Sequence, residues 1–178
     1  MNKKEGTIPR RSEALELMEK LNLPPSIKRH SIKVAEKALE IGKKINKVEV
    51  NKPLIEVGAL LHDIGRSETH GFEHGLAGGG ILRSYSFSDD LARICETHIL
   101  GGLDKEDARG VGLPEKSYIP ETIEEKIVCL ADKYILEDQE VGVEERFNKW
   151  FNKYGRTKVL VKSKKRVEKF QKELNKLS

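Results

Sequence analysis

Residues 51–66 read NKPLIEVGALLHDIGR, and this stretch decides how the rest of the chain is interpreted. Asn51, followed two residues later by a proline, is typical of a helix start, and Gly65 is typical of a helix end. Apolar residues recur between them at helical spacing, which predicts a strongly apolar helix. His62 and Asp63 stand at the end of this apolar run. Two ionisable side chains in such a place are the first indication of a functional site.

The segments on both sides of this stretch also show helical periodicity. Apolar residues at intervals of three and four predict helices along most of the chain, and no segment shows the alternation typical of a strand. We therefore expect an all-α fold, a bundle of about seven to eight helices. The region of about 101–120, rich in glycine and charge, is predicted to be a loop, and loops of this length often cover a site. The predicted helices cover about 12–21, 26–44, 54–64, 78–82, 89–98, 122–138, 143–153 and 159–176.

Length and composition restrict the class of protein. A chain of 178 residues and 20.2 kDa is near the usual size of one domain, so residues 1–178 are expected to form a single domain. Hydrophobic residues make up 37% and charged residues 35%, with a mean hydropathy of −0.55, which is typical of a folded protein with a highly charged surface. Neither a membrane-spanning run nor an N-terminal secretion signal is present, so we expect a cytoplasmic protein without membrane contact. Cys95 and Cys129 lie far apart inside apolar runs, which predicts buried reduced thiols.

The positive charge of the chain is concentrated at its C-terminal end. Residues 158–178 carry eight Lys or Arg against two Glu, although the formal net charge of the whole chain is only +4. The remainder of the chain is therefore slightly acidic, and a globally basic nucleic-acid-binding protein is not indicated. Because apolar residues also recur there at helical spacing, we interpret this segment as an amphipathic helix docked on the body with a solvated lysine face. Binding of RNA or of an acidic partner is the alternative.

Histidine is scarce, and its placement is unusual. Four of the five histidines stand beside or within apolar helical stripes. Asp132 also lies within an apolar run, and an unpaired carboxylate buried there would cost several kcal/mol unless a cation or several donors met it. A metal ion bound by imidazoles and carboxylates from different helices would satisfy these groups, whereas satisfied core histidines in an ordinary helical bundle are the alternative. The four histidines are His30, His62, His74 and His98.

The order of these residues resembles a known family. His30, the pair His62-Asp63 in ALLHDIGR, and Asp132 in IVCLADKYI are similar to the H…HD…D signature of the HD-domain metal-dependent phosphohydrolase superfamily. The segment EHGLAGGGIL, with His74, and the segment ETHILGG, with His98, resemble those that supply further metal-binding histidines in the two-metal branch. This branch includes HD-GYP-type cyclic dinucleotide phosphodiesterases and bacterial HD-type diadenosine tetraphosphatases. The resemblance implies an HD-domain helical bundle with its core over about 26–138, followed by C-terminal helices over 139–178, of which the last is basic.

The resemblance also implies a ligand set and a reaction. His30, His62 and Asp132 would bind one metal, His74 and His98 the other, and Asp63 would bridge the two. Such ligands suit two divalent transition metals, with Fe, Mn, Co or Ni favoured and Zn or Mg possible. Two metals can activate a water molecule for attack on phosphorus, so the implied activity is hydrolysis of a phosphoester or phosphoanhydride, with Asp63 as a catalytic residue.

Several neighbouring residues are weaker candidates for the same chemistry. Arg66 is expected near the scissile phosphate, Lys133 is expected to contact a phosphate, and His70 is a candidate proton donor to the leaving group. The alternatives are a surface salt bridge for Arg66, a solvated side chain for Lys133 and a loop histidine without a catalytic role for His70. Two further pairs complete the candidates: Glu73 and Glu96, which could orient imidazoles, and Gly101 and Gly102, which could let a substrate approach the backbone or act as a loop hinge.

The predicted substrate is a phosphorylated small molecule. The GYP segment of the cyclic dinucleotide phosphodiesterases does not follow His98, where this chain has GGLDKEDARGVGLP. The layout is more similar to the diadenosine tetraphosphatase-like branch, which favours a nucleotide or dinucleoside polyphosphate. The alternatives are a phosphodiesterase acting on 2′,3′-cyclic or RNA ends, and a non-catalytic module that binds metal and a nucleotide or RNA.

Overall fold

A computed structural model describes residues 6–178 of the chain. This part of the chain contains nine α-helices, one 3-10 helix, Ile64–Ser67, and a single hairpin of two-residue strands. The predicted all-α fold is confirmed. The helices are α1 (Arg11–Lys20), α2 (Pro25–Lys44), α3 (Lys52–Leu61), α4 (His74–Ser84), α5 (Asp89–Thr97), α6 (Lys105–Gly110), α7 (Ile123–Lys133), α8 (Val143–Tyr154) and α9 (Lys158–Lys176).

Helix α3 is the centre of the bundle. It contacts α1, α2, α5 and α7, and its residues from Leu54 to Leu61 are almost all buried. A helix surrounded on all sides needs apolar residues around its whole circumference, which explains the composition of this stretch. The helix begins as predicted, because the Asn51 side chain accepts a hydrogen bond from the backbone N–H of Leu54.

Gly65 brings the 3-10 helix against α4. A Cβ atom at this position would lie 1.9 Å from the carbonyl oxygen of His74 and 2.5 Å from the backbone nitrogen of Gly78. Only glycine permits this approach of two backbones. The contact places Asp63, at the start of the 3-10 helix, beside His74, at the start of α4.

We expect Gly65→Ala to lower the free energy of unfolding by about 2 kcal/mol, because the added methyl group must push α4 away. Gly80→Ala in the same helix is the matched control, since a Cβ there meets no atom within 4 Å. The control should stabilise the protein by about 1 kcal/mol through helix propensity. Chemical denaturation measures both effects, and equal stabilities for the two variants would contradict the close approach.

Two segments differ from the sequence-based expectations. The expected loop over 101–120 contains α6, because the Asp104 side chain caps this helix by accepting from the N–H of Asp107. The helix expected to run to 138 ends instead at Lys133 and is followed by the strands β1 (Ile135–Leu136) and β2 (Gln139–Glu140), which pair antiparallel. Glu137 turns the chain between them with φ of +58°, a left-handed conformation that ends any helix.

The basic helix α9 is docked on the body. Its apolar residues, including Val167 and Phe170, are buried, and the helix contacts α7 and α8. Several of its cationic side chains are engaged in ion pairs with the protein itself. Lys162 and Arg166 both pair with Asp104 and Asp107 of the α6 region at 2.5 to 2.8 Å. These pairs leave less free positive charge for a nucleic acid than the sequence of this segment alone indicates.

Two further observations concern membrane-spanning segments and the two cysteines. No helix within residues 6–178 combines the length and apolar character needed to cross a membrane. Cys95 and Cys129 are both free and buried, as the sequence predicts. Burial raises the pKa of the Cys129 thiol to about 11, so this group is protonated at neutral pH.

Candidate metal centre

Four histidines and two aspartates from separate elements converge at one end of α3. His30 comes from the second turn of α2, His62 follows α3, His74 begins α4 and His98 follows α5. Rigid helices that meet around a core hold such side chains at fixed separations. All six are buried: His30, His62, Asp63, His74, His98 and Asp132 are at most 8% exposed.

Each of the four imidazoles is oriented by a backbone carbonyl. In every case Nδ1 lies within hydrogen-bond distance of a carbonyl oxygen, so Nδ1 carries the hydrogen and donates it. The other ring nitrogen, Nε2, is then left with a free lone pair. The four contacts are His30 with Glu137 at 2.8 Å, His62 with Ala59 at 2.6 Å, His74 with Gly71 at 2.7 Å and His98 with Cys95 at 2.7 Å.

The Nε2 lone pairs surround the carboxylate of Asp63, whose two oxygens face different histidines. Oδ1 lies 3.1 Å from Nε2 of His74 and 3.3 Å from Nε2 of His98, and Oδ2 lies 3.5 Å from Nε2 of His62. The Nε2 atoms of His74 and His98 are themselves only 3.1 Å apart. Acceptors therefore face acceptors, an arrangement that is repulsive unless a cation lies between them.

A second group of acceptors surrounds Asp132. Its Oδ1 lies 2.9 Å from Nε2 of His30 and 3.6 Å from Nε2 of His62. His62 therefore faces both carboxylates, and its Nε2 atom, like Oδ1 of Asp63, is buried without a hydrogen-bond partner in residues 6–178.

The donor set fits divalent metal ions. In the part of the chain that the structure describes, ligand atoms of His30, His62 and Asp132 lie within 4.8 Å of one another, and so do those of His62, Asp63 and His98. Nitrogen and oxygen donors without thiolate suit first-row transition metals. The buried atoms without partners are also explained, since a metal ion is the group that satisfies converging lone pairs.

The electrostatics of the two aspartates and of His98 favour the charge states that bind metal. Burial alone would raise the pKa of the Asp63 carboxyl group, but His62, His74 and His98 hold it well below its usual range. Asp132 behaves in the same way, since Lys133 and two imidazoles outweigh its burial and lower its pKa. Burial lowers the pKa of His98 to about 4, which keeps this imidazole neutral at pH 7. Burial alone would lower the pKa of His62, but Asp63 and Asp132 raise it above its usual value.

Comparison with known proteins agrees with this geometry. The HD domain family matches residues 27–136, which is most of the chain and includes all six converging side chains. The chain belongs to the HD domain family. This membership supports a metal-dependent phosphohydrolase or phosphodiesterase class.

Relatives of this HD domain occur in archaea. An uncharacterized protein of Methanocaldococcus jannaschii is 44% identical over 135 residues, which cover 75% of this chain and 80% of the relative. A tRNA (cytidine(56)-2′-O)-methyltransferase of Picrophilus torridus is 36% identical and one of Thermoplasma volcanium is 38% identical, over 82% and 80% of this chain. The matches span only 42% and 41% of those two methyltransferases.

Solved structures share the fold of this HD domain. The HD domain of the phosphodiesterase PgpH from L. monocytogenes, in complex with cyclic-di-AMP, has a TM-score of 0.55 and 18% identity, covering 89% of this chain and 92% of that one. The same domain in another crystal structure has a TM-score of 0.54 and 19% identity, covering 92% and 98%. At this level of identity the likeness concerns the fold alone.

Lys133 lies within this centre rather than on the surface. The side chain is 1% exposed, and its Nζ donates hydrogen bonds to the carbonyl of His98 at 2.8 Å and to Oδ2 of Asp132 at 2.5 Å. An ammonium group held in this way fixes the second oxygen of Asp132 and the turn that carries His98. Although Lys133 borders the cleft, these contacts make it a positioning residue in this structure, whereas the sequence predicts a phosphate contact.

Arg66 and His70 line the cleft beside the centre. Nε of Arg66 lies 3.1 Å from Oδ1 of Asp63, but the two atoms are not aligned for a hydrogen bond, so the contact is electrostatic. The guanidinium is partly exposed and is available to an anion in the cleft. His70 is exposed in the turn before α4, where its backbone carbonyl accepts a hydrogen bond from Arg66 at 3.4 Å.

The four remaining candidates, Glu73, Glu96, Gly101 and Gly102, have contacts away from the metal centre and the cleft. Glu73 accepts from the hydroxyl of Thr69, and Glu96 accepts from Arg83, while the imidazoles that they were expected to orient are held by carbonyls. Neither Gly101 nor Gly102 borders the cleft. A Cβ at Gly101 would lie 2.4 Å from the carbonyl oxygen of Ser163 in α9, and Gly102 has φ of +79°. Close helix packing and a tight turn therefore account for these two glycines.

The centre opens into a cleft of about 1000 Å³. One part of its wall comes from residues that the sequence analysis did not single out, on α8 and on the turn of the hairpin. The pattern that could have revealed the α8 residues is their spacing, since Arg146, Trp150 and Tyr154 recur at intervals of four. Their side chains line the cleft together with Phe72, Glu137 and Asp138.

Proposed function

We propose that this protein is a metal-dependent phosphohydrolase that cleaves a phosphoester or phosphoanhydride bond of a nucleotide or dinucleoside polyphosphate. One observation carries the proposal: four imidazoles present Nε2 lone pairs to two buried carboxylates. An ordinary helical bundle would leave these acceptors unsatisfied. The family membership supports the same reaction class.

The residues fit a site for two metal ions. His30, His62 and Asp132 would hold one ion, and His74 and His98 the other, with Asp63 bridging because its two oxygens face different histidines. Fe, Mn, Co or Ni are favoured by the donor set, with Zn or Mg possible. Bound metals would supply a hydroxide at neutral pH and neutralise charge on the phosphoryl oxygens.

The remaining residues bind the substrate and position the ligands. Arg66 would donate to phosphoryl oxygens, because its guanidinium lies beside Asp63 at the floor of the cleft. His70, exposed in the cleft, would supply a proton to the leaving oxygen. Lys133 would keep Asp132 fixed through its hydrogen bond.

The size of the cleft favours a substrate with at least one nucleoside. Its volume of about 1000 Å³ is at the upper end of the usual range for small-molecule sites, roughly 300–1,000 Å³. Inorganic phosphate or a simple phosphomonoester would leave most of this space empty. A nucleotide or a dinucleoside polyphosphate would fill more of it.

The test is a substrate panel on protein reconstituted with Mn²⁺ or Co²⁺. We expect hydrolysis of nucleoside triphosphates or diadenosine polyphosphates, and chromatography of the products measures it. Chelation of the metals should abolish the turnover. If the metal-loaded protein hydrolysed none of these compounds, the proposed reaction would be contradicted. The protein would then be interpreted as a module that binds metal and a nucleotide.

Arg66→Gln should reduce kcat/KM by about 10²-fold, which is the usual loss when one charge-stabilising donor is removed. Arg109→Gln is the matched control, because Arg109 on α6 pairs, within residues 6–178, only with the exposed Glu115 and does not line the cleft. Metal content, measured by mass spectrometry, should stay the same in both variants. Equal kcat/KM values for the two variants would remove Arg66 from the substrate site.

A second candidate is a phosphodiesterase acting on 2′,3′-cyclic or RNA ends. The similarity to part of two tRNA methyltransferases favours this reading, since it associates this type of HD domain with proteins that act on tRNA. The same panel should therefore contain 2′,3′-cyclic nucleotides and short RNAs with a terminal phosphate. A kcat/KM for these that exceeds the value for diadenosine polyphosphates would favour the second candidate.

We also propose that residues 1–178 form a single domain around the core over 26–138. The support is the hydrophobic core, in which buried residues from Ala14 of α1 to Leu174 of α9 form one cluster. A single cooperative transition in denaturation by two probes would agree with this organisation.

A further inference from the structure

Helix α8 forms a wall of the cleft that the HD domain match does not cover. Arg146, Trp150 and Tyr154 lie on one face of α8 and line the same cleft as the His/Asp centre. The family match ends at residue 136, so this wall lies outside the matched segment. A substrate whose phosphate lies at the metal centre can extend toward it.

Trp150 is held in place as an aromatic platform. The ring of Phe147, fully buried, packs edge-on against the indole with centroids 5.0 Å apart and planes at 84°. The guanidinium carbon of Arg146 lies 4.7 Å from the centroid of the indole ring. The indole is only partly buried, so part of its surface remains open to the cleft. A fixed, partly open aromatic ring is the kind of surface on which a nucleobase stacks.

Arg146 has an unmet capacity to donate hydrogen bonds. Its Nε atom is buried without a hydrogen-bond partner, and the side chain has no ion pair within residues 6–178. A buried donor without an acceptor is costly, and an acceptor on a bound ligand would remove this cost. Base carbonyls, ring nitrogens and phosphate oxygens all serve as such acceptors.

We propose that the Arg146–Trp150 pair of α8 is the nucleoside-binding subsite of this protein. The base stacks against the pair, Arg146 donates to an acceptor of the same nucleotide, and the phosphate extends toward the His/Asp centre. The inference rests on the proposed function, since it assigns the nucleoside part of that substrate. Stacking uses the face of the base rather than its edge, so adenine and guanine nucleotides should both bind.

Fluorescence offers a direct test, because Trp150 is the only tryptophan of the chain. The purified, metal-loaded protein is titrated with ATP and with GTP, and inorganic tripolyphosphate serves as the nucleoside-free comparison. We expect a saturable change in emission with both nucleotides and no change with tripolyphosphate. Hydrolysis of nucleotides without any change in emission would overturn the subsite and leave the proposed reaction standing. A change in emission, together with no hydrolysis of any compound in the substrate panel, would support the subsite and overturn the proposed reaction.

Variants of α8 provide a second measurement. Trp150→Ala should weaken ATP binding about 10-fold in calorimetry, within the range seen when a stacking side chain is removed, while tripolyphosphate affinity stays the same. Trp150→Phe should retain most of the affinity, and Arg146→Met, which leaves the Phe147–Trp150 contact intact, should also weaken ATP binding. Lys149→Ala, on the exposed side of α8, is the control and should bind as the unmodified protein does. Equal ATP affinity for all four variants would overturn the subsite.

Discussion

Asp63→Asn is expected to lower kcat/KM by about 10³-fold or more, because it would remove the charge that the two proposed metal positions share. The two oxygens of Asp63 face Nε2 of His62 on one side and Nε2 of His74 and His98 on the other. An amide has nearly the same shape, so the fold should persist while the metal content falls. Steady-state kinetics and mass spectrometry of the bound metals measure the two effects.

The control for this variant is Asp90→Asn. Asp90 lies in the first turn of α5, is exposed and does not border the cleft. Its substitution should leave both kcat/KM and metal content unchanged. If Asp63→Asn kept full metal content and full activity, the bridging role of this carboxylate would be wrong.

Lys133→Met is expected to lower the free energy of unfolding of the metal-free protein by about 4 kcal/mol, since it leaves a buried carboxylate without its partner. The ammonium group is buried against Asp132 and the carbonyl of His98, so its loss removes a hydrogen bond from each of them. The melting temperature should fall by roughly 10 °C, as expected for a chain of this length. Added Mn²⁺ should restore part of the loss, because a metal ion at the proposed site would neutralise Asp132 and stabilise the folded protein.

Lys149→Met serves as the control for this second variant. Lys149 is exposed on α8, and its one ion pair among the described residues is with exposed Glu145 at 3.4 Å, so its loss should change stability by well under 1 kcal/mol. Calorimetry with and without metal provides all four melting temperatures. Similar melting temperatures for Lys133→Met and Lys149→Met would show that the buried ammonium does not stabilise the centre.

The sequence predicted the members of the centre because each is marked by its local context. An ionisable residue within a helical apolar stripe is visible in the sequence, and four histidines and two aspartates share this mark. The carbonyl partners are not visible in this way, since the carbonyl of Glu137 reaches His30 only after the chain has turned at the hairpin. The sequence also suggests Glu73 and Glu96 as orienting groups, whereas the carbonyls of Gly71 and Cys95 orient His74 and His98.

The parts of the fold that sequence reasoning missed depend on contacts between distant segments. The residues after Lys133 are Tyr134, Ile135 and Leu136, and this composition fits a helix as well as a strand. The left-handed turn at Glu137 ends the helical possibility and favours the hairpin. Helix α6 is short and lies within a glycine-rich region, where only the Asp104–Asp107 cap indicates it. The α8 wall faces the cleft because α8 packs beside α9, a tertiary relationship that spacing alone does not predict.

Three of the four histidines are oriented by the same local hydrogen bond. His62, His74 and His98 each donate from Nδ1 to the carbonyl of the residue three positions earlier in the chain. Each imidazole is thus aimed by its own turn of backbone and requires no neighbouring side chain to aim it. Substitutions around the cleft can accumulate without turning these rings, so this architecture is well suited to evolve new specificities around an unchanged reactive centre.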